Sequence, residues 1–197
     1  MFEIEQVDDD LYRIALEKPG DFPPPANRTN NVYLLDGSAP ALVNAGHPSQ
    51  YDVLCKALHE IDIQPDQISR VVATSWNVDH LGAASNLPGA DLFVLSPDMV
   101  EPRDYEAHLD QLRTGFRELA ESIVEAYDYD ESQLDAVDAF TGEYFPRSTH
   151  RLDIVPIRGG HTVAAGDYSF EVISTPGPQH GHISLWDHDR GALFCGD

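Results

Sequence analysis

The chain has 197 residues, 42% of them hydrophobic, enough apolar matter for one globular domain with a sizeable core. Acidic residues outnumber basic ones 34 to 12, the formal net charge is −22, and lysine occurs only at Lys18 and Lys56. A surface of that sign repels phosphate backbones and anionic headgroups, which excludes nucleic acid and membrane surfaces as expected partners and suits either an aggregation-resistant, solvated surface or adaptation to salt.

The N-terminal segment, Met1 to Ile14, has neither a basic start nor an apolar leader core, and no uninterrupted apolar run is long enough to cross a bilayer, so a soluble cytoplasmic protein is expected. Apolar clusters of strand length occur at Leu11 to Ala15 and Asn31 to Leu35, the second bounded by the Pro-rich loop 22–25 and by Asp36-Gly37. Ala41 to Val43 reads as a further strand. Tyr51 to Ile61 has helical spacing, with Val53, Leu54, Leu58 and Ile61 facing inward. The alternation repeats with a buried strand at Arg70 to Thr74, a polar loop through His80, a short helix over Leu81 to Leu87 and a strand at Leu92 to Leu95.

From Arg103 to Val137 the texture changes to Glu, Ala, Leu and Gln, predicting two helices joined near Tyr127 to Tyr129. Leu109, Leu112, Phe116, Leu119 and Ile123 recur at helical spacing, as core or interface positions do. Strand character returns at Ile154 to Arg158, Gly160 to Val163, Ser169 to Ile173 and Gly191 to Phe194, with Gly166-Asp167 as a hairpin turn. Cys55 and Cys195 lie far apart, outside any Cys-x-x-Cys pair, and read as reduced, buried residues.

Three loops follow predicted strands, where α/β folds gather binding groups. They are Thr74-Ser-Trp-Asn-Val-Asp-His-Leu-Gly82, Ser174-Thr-Pro-Gly-Pro-Gln-His-Gly-His-Ile-Ser184 and Leu193-Phe-Cys-Gly-Asp197. In this order they resemble the H-x-H-x-D-H, T-P-G-H-T-P-G-H and L-F-x-G-D loops of the metallo-β-lactamase fold superfamily, whose members include glyoxalase II-like hydrolases. The resemblance spans nearly the whole chain. It implies an αβ/βα sandwich of two mixed sheets flanked by helices, as one domain over residues 1–197. A helical insertion near 101–140 would cover the active-site mouth, and the C-terminal part of the fold would be missing.

In that family the first loop supplies three histidines and an aspartate, the second a histidine and the third a bridging aspartate, with a last histidine near the C-terminus; together they hold two metals that lower the pKa of bound water. Here Ser75, Asn77 and Pro178 stand at ligand positions, while Asp79, His80 and Asp197 match theirs and His182 matches a supporting histidine. Asn44 stands where the family has a carboxylate that orients a ligand. The resemblance therefore implies a largely dismantled centre, no cofactor, and a non-hydrolytic member, a pseudoenzyme whose old cleft binds a small molecule or whose fold serves a protein partner or homo-oligomer. The alternative is a hydrolase of thioesters, lactones or phosphodiesters with a single weak Zn or Fe site on Asp79, His80, Asp197 and His180, in which Asp79 and His80 carry the catalysis. Asp79 equally suits a carboxylate that caps the short helix after it. His47, His59, His108, His150, His161 and His188 fall outside the motifs and read as ordinary.

Overall fold

The computed structural model describes residues 1–18, 29–95, 105–130, 132–146, 153–177 and 179–196. The Pro-rich loop 22–25, Pro178, Asp197 and His150 lie outside them. Contacts divide the chain into two units, one of Met1–Glu101 with His150–Asp197 and one of Pro102–Thr149.

The first unit holds two sheets. Strands β1 (Phe2–Asp8), β2 (Leu11–Glu17), β3 (Thr29–Leu35) and β4 (Ala41–Val43) pair antiparallel in sequence order. Strands β5 (Arg70–Val72), β6 (Asp91–Leu95) and β7 (Asp153–Ile157) continue the same sheet parallel to β4. Parallel neighbours need crossovers. These are α1 (Tyr51–Glu60) between β4 and β5, and α2 (Val78–Leu81) with a 3-10 turn at Gly82–Asn86 between β5 and β6. In α1 the spacing of Leu54, Ala57 and Leu58 buries one face, while Val53 and Ile61 are only half-buried. The second sheet is a meander of β8 (Thr162–Ala165), β9 (Tyr168–Ser174), β10 (Ile183–Asp187) and β11 (Ala192–Phe194).

The core lies between the sheets. Leu35, Val43 and Val72 from the first meet Phe170, Val172, Leu185 and Phe194 from the second, all buried. The expected α/β sandwich is present, with one refinement: the first sheet is mixed, but the described strands of the second are wholly antiparallel. Two strands escape the sequence reading. β1 is an edge strand of alternating Glu and apolar residues whose charges mask its period. β10 carries Ser184 and Asp187 into the interior, where each finds partners: Ser184 donates to the Cys195 carbonyl at 3.3 Å and Asp187 accepts from the Asp189 and Arg190 amides at 2.9 and 3.2 Å. The helix expected over Leu81 to Leu87 begins at Val78 instead, because Asn77 caps it by accepting from the Asp79 amide.

In the second unit, α3 (Tyr105–Tyr127) and α4 (Ser132–Tyr144) form the predicted helix pair, the second running past the expected end. Arg117 joins them by pairing with Glu121 on its own helix and Asp138 on the next. Leu109 is buried as expected, but Phe116, Leu119 and Ile123 are 42, 58 and 41% exposed, so helical spacing alone did not place them in a core.

One network ties the β1–β2 turn to the second sheet. Tyr168 donates to Asp10 at 2.7 Å, Arg190 pairs with the other Asp10 oxygen at 2.9 Å, and the guanidinium lies 3.7 Å over the Tyr168 ring. The Tyr168 hydrogen bond, then Arg190, hold the Asp10 carboxyl below its ordinary value of 3.8. A depressed folded-state value stabilises the fold above the ordinary value, and that contribution is lost as pH falls through the lower one. Urea unfolding as a function of pH is expected to show Asp10→Asn less stable than the parent by about 1 kcal/mol at neutral pH. The two should converge as the pH drops below 3.8.

Candidate functional site

The edge where the site forms is set by strand direction. The C-terminal ends of β2, β4 and β5 and the N-terminal end of β3 share one edge of the first sheet, the place where open α/β sheets form binding crevices. A cleft of about 510 Å³ opens there, lined also by β11 and by Cys195 and Gly196 after it. Its polar lining is Lys18, Thr29, Asn30, Asn31, Asn44, Thr74, Asn77, Asp79 and His80, and its apolar wall includes Val43, Tyr33, Leu193 and Phe194.

Val43 sits opposite Val72 in parallel register, so Asn44 and the Thr74 loop emerge side by side. Asn44 adopts φ +61°, a left-handed conformation that Asn tolerates better than most residues, and its Oδ1 accepts from the Thr74 amide at 2.9 Å and the Thr74 hydroxyl at 3.1 Å. Because that hydroxyl donates to Asn44, it accepts from His80 Nδ1 at 2.9 Å. Ser75 Oγ lies 3.0 Å from the same nitrogen and also accepts from the Asn77 amide at 3.2 Å. The network thus assigns the His80 proton to Nδ1 and makes Nε2 the acceptor nitrogen.

Asp79 does not cap the helix. Its carboxylate accepts from the Lys18 ammonium at 2.7 Å, with side-chain exposures of only 20% for the lysine and 10% for the aspartate. Lys18 is held there by its strand: Gln50 donates to the carbonyls of Leu16 and Glu17 at 3.1 and 2.8 Å and accepts from Asn30 at 2.8 Å, pinning the end of β2 beside the cleft. Of the other sequence candidates, His180 is exposed and is not among the residues lining the cleft. His182 is buried, its Nδ1 within 2.9 Å of the Thr175 carbonyl. Its ring leaves no room for a side chain at Gly196, where a Cβ would stand 2.3 Å from Nε2. The structure therefore brings Asp79 and His80 together, and does not bring in His180.

Sequence reasoning missed Lys18, Asn30, Tyr33 and Cys195 as cleft residues. The one available signal was Lys18 itself, one of two lysines in a strongly acidic chain, shortly after an apolar cluster of strand length. Cys195 corrects a second expectation, being exposed rather than buried; Cys55 is half-buried, and burial raises its thiol pKa.

Among the described residues no three His, Cys, Asp or Glu side chains lie together as a metal would require. Ser75 and Asn77, at two ligand positions, spend their oxygens on loop and cap hydrogen bonds, and Asp79 already carries a cation. These commitments do not fit the two-metal centre described for the family that the sequence resembles.

A family profile described as the Metallo-beta-lactamase superfamily matches residues 26–197. The chain is 25% identical over 195 residues to the Beta-lactamase-like protein 2 homolog of Caenorhabditis elegans, covering 98% of this chain and 51% of that one. It is 33% identical over 108 residues to a Hydroxyacylglutathione hydrolase of Aeromonas hydrophila, covering 50% and 41%. The chain thus spans about half or less of the length of these curated relatives. In fold it is similar to a metallo-beta-lactamase family protein of Thermus thermophilus, with a TM-score of 0.70 at 20% identity over 98% of this chain and 60% of the other.

Two outcomes follow. Lys18→Met, which strands the Asp79 carboxylate, is expected to cost about 2–4 kcal/mol in urea unfolding, and adding Asp79→Asn to recover most of it. Thiol alkylation followed by peptide mass spectrometry is expected to modify Cys195 well before Cys55.

Proposed function

The chain belongs to the metallo-beta-lactamase superfamily, and from that premise we propose that its cleft binds a small polar molecule with an apolar part, rather than hydrolysing one through a pair of metals. The observation that carries this is the Lys18–Asp79 ion pair at 2.7 Å in the cleft, beside a loop that the Ser75 and Asn77 oxygens are engaged in holding. Catalysis of the metal-assisted kind needs a Lewis acid with an open position for water. Amide, hydroxyl and imidazole groups above a wall of Tyr33 and Phe194 instead suit a ligand of mixed polarity, held by a few hydrogen bonds and apolar contact.

A second reading, a hydrolase with one metal on Asp79, His80, Asp197 and His180, is favoured by the adjacency of Asp79 and His80 in the cleft and by the similarity to a Hydroxyacylglutathione hydrolase over 108 residues. It requires Lys18 to leave Asp79 and the exposed His180 to move inward.

The deciding experiment gives the purified chain zinc, iron or manganese and an acyl-glutathione thioester, and in parallel screens small polar metabolites by thermal shift. The binding reading expects no metal-dependent turnover and a ligand that raises Tm by about 5–10 °C at a hundredfold excess over its Kd. Tyr33→Ala should reduce that rise. Turnover that needs metal and is abolished by both Asp79→Ala and His80→Ala would establish the hydrolase instead.

A further inference from the structure

We infer that the turn end of the α3–α4 helix pair is a docking face for a protein partner that presents a cationic amphipathic helix. The inference draws on no residue of the cleft and does not depend on what the cleft binds.

The apolar stripe of α3 outruns its cover. Its spacing buries Leu109 and sets the Phe116 ring 5.5 Å from that of Phe145, then continues through Leu119, Ile123 and Tyr127, all exposed. Of the nine large hydrophobic side chains exposed among the described residues, five lie between Phe116 and Tyr129. That concentration marks an interaction surface, since apolar residues scattered singly over a surface carry no such meaning. A groove of about 560 Å³ runs there, lined by Ile123 and Val124 of α3, by Tyr129 and Asp130 of the turn, and by Leu134 and Val137 of α4.

Charge decides what can cover it. From Glu118 to Asp138, eight of 21 residues are acidic and none is Lys, Arg or His, against 34 acidic residues among 197 in the chain. The acidity of this face is therefore local and not only a share of the general composition. Arg117, directly before it, is committed to Glu121 and Asp138. A second copy of the chain would bring like charges together, whereas a cationic helix is drawn in. The turn also offers a seat for a positive group: Tyr127 and Tyr129 stack at 6.0 Å, are 70 and 58% exposed, and alternate with Asp128 and Asp130. Exposed ring faces beside carboxylates suit a Lys or Arg side chain. Aliphatic side chains on one face of the partner helix would enter the groove while its basic flank meets the turn.

Fluorescence anisotropy with the full chain tests this. The probe is a labelled helical peptide of about 18 residues with leucine on one face and lysine on the other. One analogue carries glutamate for lysine and another serine for leucine. The parent is expected to bind the leucine–lysine peptide about tenfold or more tightly than either analogue. Ile123→Ser, at an exposed position, is expected to weaken that binding about tenfold and to leave Tm unchanged. Asp128→Asn with Asp130→Asn keeps the left-handed turn residue at φ +54° and the acceptor for the Ser132 amide at 2.8 Å, and should weaken binding and reduce its salt dependence. Should Ile123→Ser fail to fold, Tyr129→Ser in the turn carries the same expectation. Equal binding of the serine analogue overturns the docking face, because charge alone then suffices. So does failure of the leucine–lysine peptide to bind, or binding that the substitutions leave unchanged. A dimer in sedimentation that Ile123→Ser dissolves overturns it in favour of a second copy.

Discussion

The parallel register of β4 against β5 is the constraint on which the site depends. With Val43 opposite Val72, the two strand ends discharge their loops at one edge, and the loops are then tied to each other through backbone rather than through ligands. The Ala45 amide donates to the His80 carbonyl at 2.6 Å, the Ala83 amide to the Gly46 carbonyl at 2.9 Å, and Asn44 Oδ1 takes two hydrogen bonds from Thr74. Gly82 is obligatory in this arrangement, since a Cβ there would stand 2.3 Å from the Pro48 ring. A scaffold interlocked in this way tolerates Ser75 and Asn77 where the family resemblance implies histidines, because neither ligand is needed to hold the loop.

Electrostatics decides what the scaffold can still accept. An enclosed carboxylate must be neutralised, and the lysine at the end of β2 does so from within the chain. A pair this enclosed is screened little by salt, unlike the many exposed carboxylates that give the chain its charge of −22. The cleft and the surface therefore respond differently to ionic strength. On the proposed reading, the neutral pair leaves the amides, hydroxyls and Tyr33 as the groups that meet a ligand.

The sheets themselves are held by an aromatic chain that ends at the cleft. Tyr168 stacks against Phe170 at 5.7 Å between centroids, Phe170 meets Phe194 edge-on at 5.3 Å, and Phe194 meets Tyr33 edge-on at 5.1 Å. This aromatic chain runs from the Asp10–Tyr168–Arg190 network through the core to the cleft wall. It links the packing that stabilises the sandwich to the apolar side of the cleft.

Periodicity and loop motifs in the sequence were sufficient to determine the alternation of strands and helices, the family, and the presence of Asp79 and His80 at one strand end. They are local or ordered features, read without knowing which strands pair. Two strands stayed hidden, β1 because its exposed charges mask its period and β10 because Ser184 and Asp187 face the interior, where the Cys195 carbonyl and the Asp189 and Arg190 amides satisfy them. Lys18 belonged to no motif. Only the tertiary structure could show that β2 ends where α2 begins and that an ammonium meets Asp79 across 61 residues, because a buried ion pair is a matter of distance and dielectric that no spacing along the chain encodes.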